Sequence, residues 1–96
     1  MQFVIHAVDK PDSLSLRLSV REAHFAYLQK TGAVQLGGPF LDDQGNMCGS
    51  LMIMEAEDFA ALQVWLADEP YTQAGLFQSV DIRQWKPTYN PIGAKL

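Results

Sequence analysis

The apolar positions fall into short runs that alternate and two longer stretches with helical spacing, in the order strand, helix, strand, strand, helix, strand. Gln2 to Val8 carries Phe3, Val4 and Ile5 and stops at the Asp9-Lys10-Pro11-Asp12 turn cluster, which predicts a first strand. His6 shares a face with Val4 and Val8 and reads as structural. Asp12 and Ser13 suit the start of a helix at Leu14, and Thr31-Gly32 supplies the glycine that ends it. Read as one helix, Asp12 to Lys30 would show two apolar stripes, Leu14/Leu18/Phe25/Leu28 and Leu16/Val20/Ala23/Tyr27, on opposite sides. Ser19 and Glu22 have the spacing of a capping box, so the simpler expectation is a break at Ser19 and a second helix from Val20 that turns Phe25 and Leu28 into the core. Burial of both stripes in a dimer is the alternative.

Ala33 to Leu41 reads as a second strand, interrupted at Gly37-Gly38-Pro39, where a proline that cannot donate and two glycines suggest a bulge or a freed edge open to a ligand. Asp42-Asp43-Gln44-Gly45-Asn46 is polar turn material leading to a third strand, Met47 to Met54, and completes a hairpin. Its two acids lack the remaining positions of a calcium loop and read as solvated. Glu57 and Asp58 favour a helix start, Phe59, Leu62 and Leu66 recur at helical spacing, and Pro70 stops the helix near Ala67. That ending leaves Asp68 and Glu69 at a helix C-terminus, where the dipole disfavours anions and a compensating cation is expected. Phe77 to Trp85 predicts the last strand, with Val80 and Ile82 on one face, and the proline-bearing tail from Lys86 to Leu96 is extended.

This order is the split βαβ pattern: an α+β, ferredoxin-like βαββαβ domain with a four-stranded antiparallel sheet and helices on one face. Strands with apolar residues on both sides, in a chain of 96 residues, are completed most simply by a second copy, so a homodimer with two sheets packed together is expected. Apolar residues at 48% and charged residues at 19% fit one soluble globular domain, without the run of about eighteen apolar residues that spans a bilayer. The start lacks the basic region of a secretory signal, which points to the cytoplasm. A net charge of −4 argues against nucleic acid as partner, and no membrane partner is expected. The single Cys48 and two distant histidines give no zinc spacing, and no metal or cofactor is predicted.

The chemistry concentrates between Arg17 and Leu28. Arg21, His24, Phe25 and Leu28 neighbour one another on a helix surface and place charge at the rim of a core, where a carboxylate is the natural answer. A carboxylate-paired histidine is a general base, and Arg17 and Arg21 suit a carboxylate, enolate or phenolate. Ser50 is the available serine, but a strand serine followed by Leu51 is no nucleophile elbow, so acyl transfer is not favoured. The set suits proton abstraction and elimination on a small anionic or hydroxylated substrate, aromatic rings included. A non-catalytic binder or accessory protein using the same pocket is the competing reading, as is a histidine that merely ties two helices together.

Several stretches in order, DKPDSLSLRLSVREAH from Asp9 to His24, GGP from Gly37 to Pro39, GSL from Gly49 to Leu51, PYTQAGLF from Pro70 to Phe77 and the closing VDIRQW, resemble the YCII-related (YciI-like) family of dimeric α+β barrel proteins across nearly the whole chain. The resemblance implies a ferredoxin-like fold, dimerisation, and an active site of a helix histidine, here His24, with an aspartate before Pro-Tyr. Here Glu69 holds that position and Asp68 precedes it, so either acid is the candidate partner. Arg17, Arg21, Gly38, Pro39, Ser50 and Tyr71 match family motif positions and are the candidate substrate-binding residues. For some relatives a dehydrochlorinase-like or lyase-like activity is implied; a likeness to cofactor-free barrel monooxygenases rests on fold alone.

Overall fold

A computed structural model describes all 96 residues. β1 (Gln2–Asp9) leads into α1 (Leu14–Thr31), β2 (Val34–Leu41) and β3 (Met47–Glu55) form a hairpin, α2 (Phe59–Asp68) is followed by the single turn α3 (Pro70–Gln73), and β4 (Phe77–Gln84) closes the sheet. The strands lie in the order β2-β3-β1-β4, all neighbours antiparallel, with the helices on one face. This is the ferredoxin-like arrangement. No helix is long and apolar enough to cross a membrane.

Alternation along the two central strands decides what the helices cover. Phe3 and Ile5 of β1 stand beside Met54 and Met52 of β3 in register, and Leu62 of α2 drops onto them to form a closed core. Leu28, Val34, Trp65, Leu66 and Ile82 pack around its edge. The alternate positions Val4, His6, Val8 and Leu51 face the open side of the sheet, where the His6 ring lies 4.7 Å from that of Phe40. Val8 and Phe40 there remain more than a third exposed.

Helix α1 runs unbroken through Ser19, against the expected break. Ser19 Oγ donates to the Leu16 carbonyl at 2.8 Å and caps nothing. The helix needs only one buried stripe, through Arg17, Val20, His24, Tyr27 and Leu28, and two of its members are polar. Phe25 is 48% exposed, so the expectation that it enters the core is also corrected. The helix begins after Asp12, whose φ of 56° turns the chain left-handed, and Ser13 occupies the cap without a side-chain cap bond. Gly32, left-handed at φ 62°, ends it and donates to the Leu28 carbonyl.

Strand β2 is the sheet edge on which Pro39 is tolerated, but Gly37, Gly38 and Pro39 pair in regular register with Met52, Leu51 and Ser50. The irregularities fall on either side, between Val34 and Leu36 and between Phe40 and Leu41. Asp42 Oδ1 accepts from the backbone N–H of both Gln44 and Asn46 and shapes the hairpin turn. Asp58 caps α2 by accepting from Ala61 N–H at 2.8 Å.

Glu69 corrects the sequence expectation most usefully. Pro70 does end α2, but it is also the first residue of α3, a position where its missing N–H is harmless. Glu69 therefore sits at a helix N-terminus as well as a C-terminus, and its Oε2 accepts from Thr72 N–H at 3.2 Å. The side chain lies on the favourable side of a dipole.

Candidate active site

Between α1, α3 and the β2–β3 hairpin lies a cavity of about 280 Å³. Leu28, Val34, Met47 and Met52 give it an apolar half, while Arg17, Arg21, His24, Ser50 and Tyr71 converge on the other. Its β2 wall is backbone and ring from Gly37, Gly38 and Pro39.

His24 is 6% exposed and its Nδ1 is paired with Oε1 of Glu69, a residue with no exposure at all. A carboxylate only accepts, so Nδ1 carries the proton and the lone pair resides on Nε2. Nε2 has no protein partner and belongs to a residue that lines the cavity. The Tyr71 ring stacks on the imidazole at 4.0 Å and 17°, which holds the ring plane while Glu69 holds its rotation. Asp68, the other candidate, is exposed at the end of α2 and makes no hydrogen bond to His24.

The two arginines have different surroundings. Arg17 is buried and bidentate to Asp9, Nε to Oδ2 at 2.7 Å and Nη2 to Oδ1 at 2.8 Å, and Nη2 also donates to Ser50 Oγ at 2.9 Å. Its guanidinium lies 4.7 Å from the centre of the Tyr71 ring. Burial works against that charge, but Asp9 outweighs it and holds the guanidinium above its ordinary value. Arg21 is exposed at the cavity, lies over Phe25 at 5.2 Å and has no acidic partner. The Tyr71 phenol is pushed up by burial, with Glu69 adding to the shift and Arg17 and Arg21 opposing it. It is a neutral hydroxyl at physiological pH.

All of the sequence candidates except Asp68 line this cavity or, for Glu69, support it from behind. Sequence reasoning gives Asp9 only a place in a turn and misses its role here. The signal was present: it follows Phe3, Ile5 and Ala7 at the same alternation, so β1 carries it to the helix side of the sheet. There an unpaired charge would be costly, and Arg17 supplies the pairing.

Residues 1–86 match the YCII-related domain. The chain belongs to the YCII-related family. It is 39% identical over 98 residues to Protein YciI of Escherichia coli O6:H1 (strain CFT073), across 93% of this chain and 100% of that protein. Among solved structures it resembles the 5-chloro-2-hydroxyhydroquinone dehydrochlorinase TftG of Burkholderia phenoliruptrix AC1100, in complex with 2,5-dihydroxybenzoquinone, with 38% identity, a TM-score of 0.82, and coverage of 90% of this chain and 94% of that one. An antibiotic biosynthesis monooxygenase, 17% identical with a TM-score of 0.54 and coverage of 90% and 98%, shares the fold.

Proposed function

We propose that this YCII-related protein is a cofactor-free lyase that eliminates a leaving group, such as chloride, from a small hydroxylated ring, with His24 as general base. The observation that carries the reading is the buried His24–Glu69 pair, which directs a free Nε2 lone pair to a ring-sized cavity. The likeness to a dehydrochlorinase holding a dihydroxybenzoquinone supports the substrate class.

The step balances without an oxidant. In the ring tautomer whose leaving-group carbon is saturated, Nε2 takes the proton of a conjugated hydroxyl. The O–H electron pair becomes a carbonyl, the ring double bond shifts, and the carbon–chlorine bond breaks with its electrons. Chloride, a quinoid ring and an imidazolium result, and the imidazolium passes its proton to water. Glu69 stabilises that imidazolium and keeps the tautomer correct for the next cycle. Arg21, without an acidic partner, attracts the ionised ring, whereas Arg17 acts through Ser50 and Tyr71. Leu28, Val34 and Met52 exclude water from the apolar edge.

Chloride release from a chlorinated hydroxyhydroquinone, measured for the parent protein and His24→Ala, tests the reading. Loss of release in His24→Ala with ligand binding retained is expected. Binding without release in the parent would instead make this a small-molecule binder. A second copy covering Val4, Val8 and Phe40 on the open sheet face completes the proposed assembly, and light scattering at twice the monomer mass is the expected result.

A further inference from the structure

We infer that residues Lys86–Leu96 form an arm that docks on a second copy of this chain. Tyr89 and Ile92 enter a groove between that copy's β1–α1 turn and its β2–β3 hairpin tip, and Lys86 and Lys95 lie beside the acids of the groove. The inference rests on the reading that a second copy covers the open sheet face, and it fixes how the two copies are turned.

The arm is shaped without help from the domain it leaves. The last hydrogen bond to that domain is Trp85 N–H to the Gln2 carbonyl at 3.0 Å, and every later one is internal to the arm. Pro91 opens a turn in which Gly93, at φ 70°, donates to the Asn90 carbonyl. The Asn90 side chain closes the turn twice, accepting from Ala94 N–H at 3.1 Å and donating to the Ala94 carbonyl at 2.6 Å. The loop is therefore preformed, which lowers the entropic cost of docking. It holds Tyr89 at 87% and Ile92 at 85% exposure, two large apolar groups in water on a stiff support. Residues 87–96 lie beyond the stretch that matches the YCII-related domain, so the shared fold does not account for them.

The complement lies at the other end of the sheet. A groove of about 510 Å³ runs there between the β1–α1 turn and the hairpin tip, with Val8, Pro11, Leu14 and Met47 as its apolar lining. Asp9 is taken by Arg17, and Lys10 reaches over to Gly75, so Asp12 and Asp42 give the groove its charge; neither is in an ion pair. The arm carries two of the chain's seven basic residues and none of its eleven acidic ones, so charge and apolar surface match on both sides. An arm cannot serve its own copy. The nine residues of β3 separate the hairpin tip from the end where the arm leaves by about 26 Å. Lys86 to Tyr89, fully extended, spans about 14 Å at most. A two-fold axis that runs across the strands, between the two sheets, turns the second copy end for end, and each arm then meets the other copy's groove. Val8 belongs both to the open face and to the groove, so the two contacts form one surface.

Cross-linking of isotope-mixed protein tests the docking. Nitrogen-15-labelled and unlabelled chains are mixed in equal amounts, allowed to exchange, and treated with a carbodiimide, which joins a lysine to a carboxylate only in direct contact. Mass spectrometry should find links from Lys86 or Lys95 to Asp12 or Asp42 that pair a heavy peptide with a light one. The double variant Tyr89→Ala with Ile92→Ala, altered only at side chains that are exposed in the single copy, should raise the dimer dissociation constant in analytical ultracentrifugation by about tenfold or more. A dissociation constant unmoved in that variant, or links that never pair heavy with light, overturns the arm and leaves the sheet-face dimer standing. A parent protein that sediments as a monomer at every concentration removes both.

Discussion

Replacing Glu69 with Gln probes the site with almost no change of shape, and the outcome follows from hydrogen-bond bookkeeping. Glu69 accepts at both oxygens, from His24 Nδ1–H and from Thr72 N–H. An amide can accept at only one. With its oxygen kept on His24, its NH2 group would face the Thr72 N–H inside a closed site, leaving a buried donor unsatisfied at about 1 to 3 kcal/mol. With its oxygen on Thr72, the NH2 group donates to Nδ1, and the imidazole need only move its proton to Nε2. The second arrangement is the more stable one, and it removes the basic lone pair from the cavity. Turnover should fall by about 10³ to 10⁴, the scale seen when a catalytic histidine is held in the wrong tautomer. Stability should fall by about 1 to 2 kcal/mol, because charge-assisted bonds become neutral ones. Nitrogen-15 NMR of the histidine ring reads the tautomer directly, and urea unfolding reads the stability. Asp68→Asn, on an exposed side chain outside the pair, should move stability by less than about 0.5 kcal/mol and leave the ring unchanged. Retention of the Nδ1–H form in Glu69→Gln with unaltered activity would refute the reasoning, since Glu69 could not then be what sets the tautomer.

Gly37→Ala should fold, because the added methyl meets the Leu51 carbonyl, Val34 and Met52 at 3.4 to 3.6 Å, yet it enters the cavity wall. Calorimetry should show a larger affinity loss for a chlorinated ring than for its unchlorinated analogue; equal losses would take Gly37 out of the wall that sizes the substrate. Arg21→Ala should weaken an ionised ring by about 1.5 kcal/mol, at the low end for a charged hydrogen bond because the side chain is exposed. The difference from the parent should shrink as salt rises, and a salt-independent loss would mean that Arg21 acts through packing on Phe25 instead. The Tyr71 phenol, raised from its ordinary 10.0 chiefly by burial, is more protonated folded than unfolded above that pH. Its contribution to stability is therefore intact below about pH 10 and lost as pH rises through the folded value. Urea unfolding across that range should show a steeper alkaline decline in the parent than in Tyr71→Phe, and parallel declines would remove Tyr71 as the cause.

The hydrophobic pattern was enough to place four strands and two main helices, and their order implied an antiparallel sheet with helices on one face, the face on which Phe3, Ile5, Met52 and Met54 lie. It failed on α1 for a physical reason that bears on function. A helix is read from its apolar stripe, and here the deepest positions of the stripe are Arg17 and His24, which look like surface residues until their partners are known. The partners, Asp9 and Glu69, come from opposite ends of the chain, one from a strand end and the other from the joint between two helices. Spacing alone assigns Asp9 to a turn and Glu69 to an unfavourable helix end that calls for a cation, and only the family resemblance names Glu69 as one of two candidate partners of His24, because local rules cannot supply a long-range pair. With both pairs formed, the apparent faults cancel: the polar stripe becomes a buried one, and the misplaced glutamate caps α3 while holding the imidazole. Charge deep in a small domain is destabilising relative to apolar packing of the same volume. Two such pairs flanking one cavity, with a free imidazole nitrogen between them, are better explained by chemistry in that cavity than by stability of the fold.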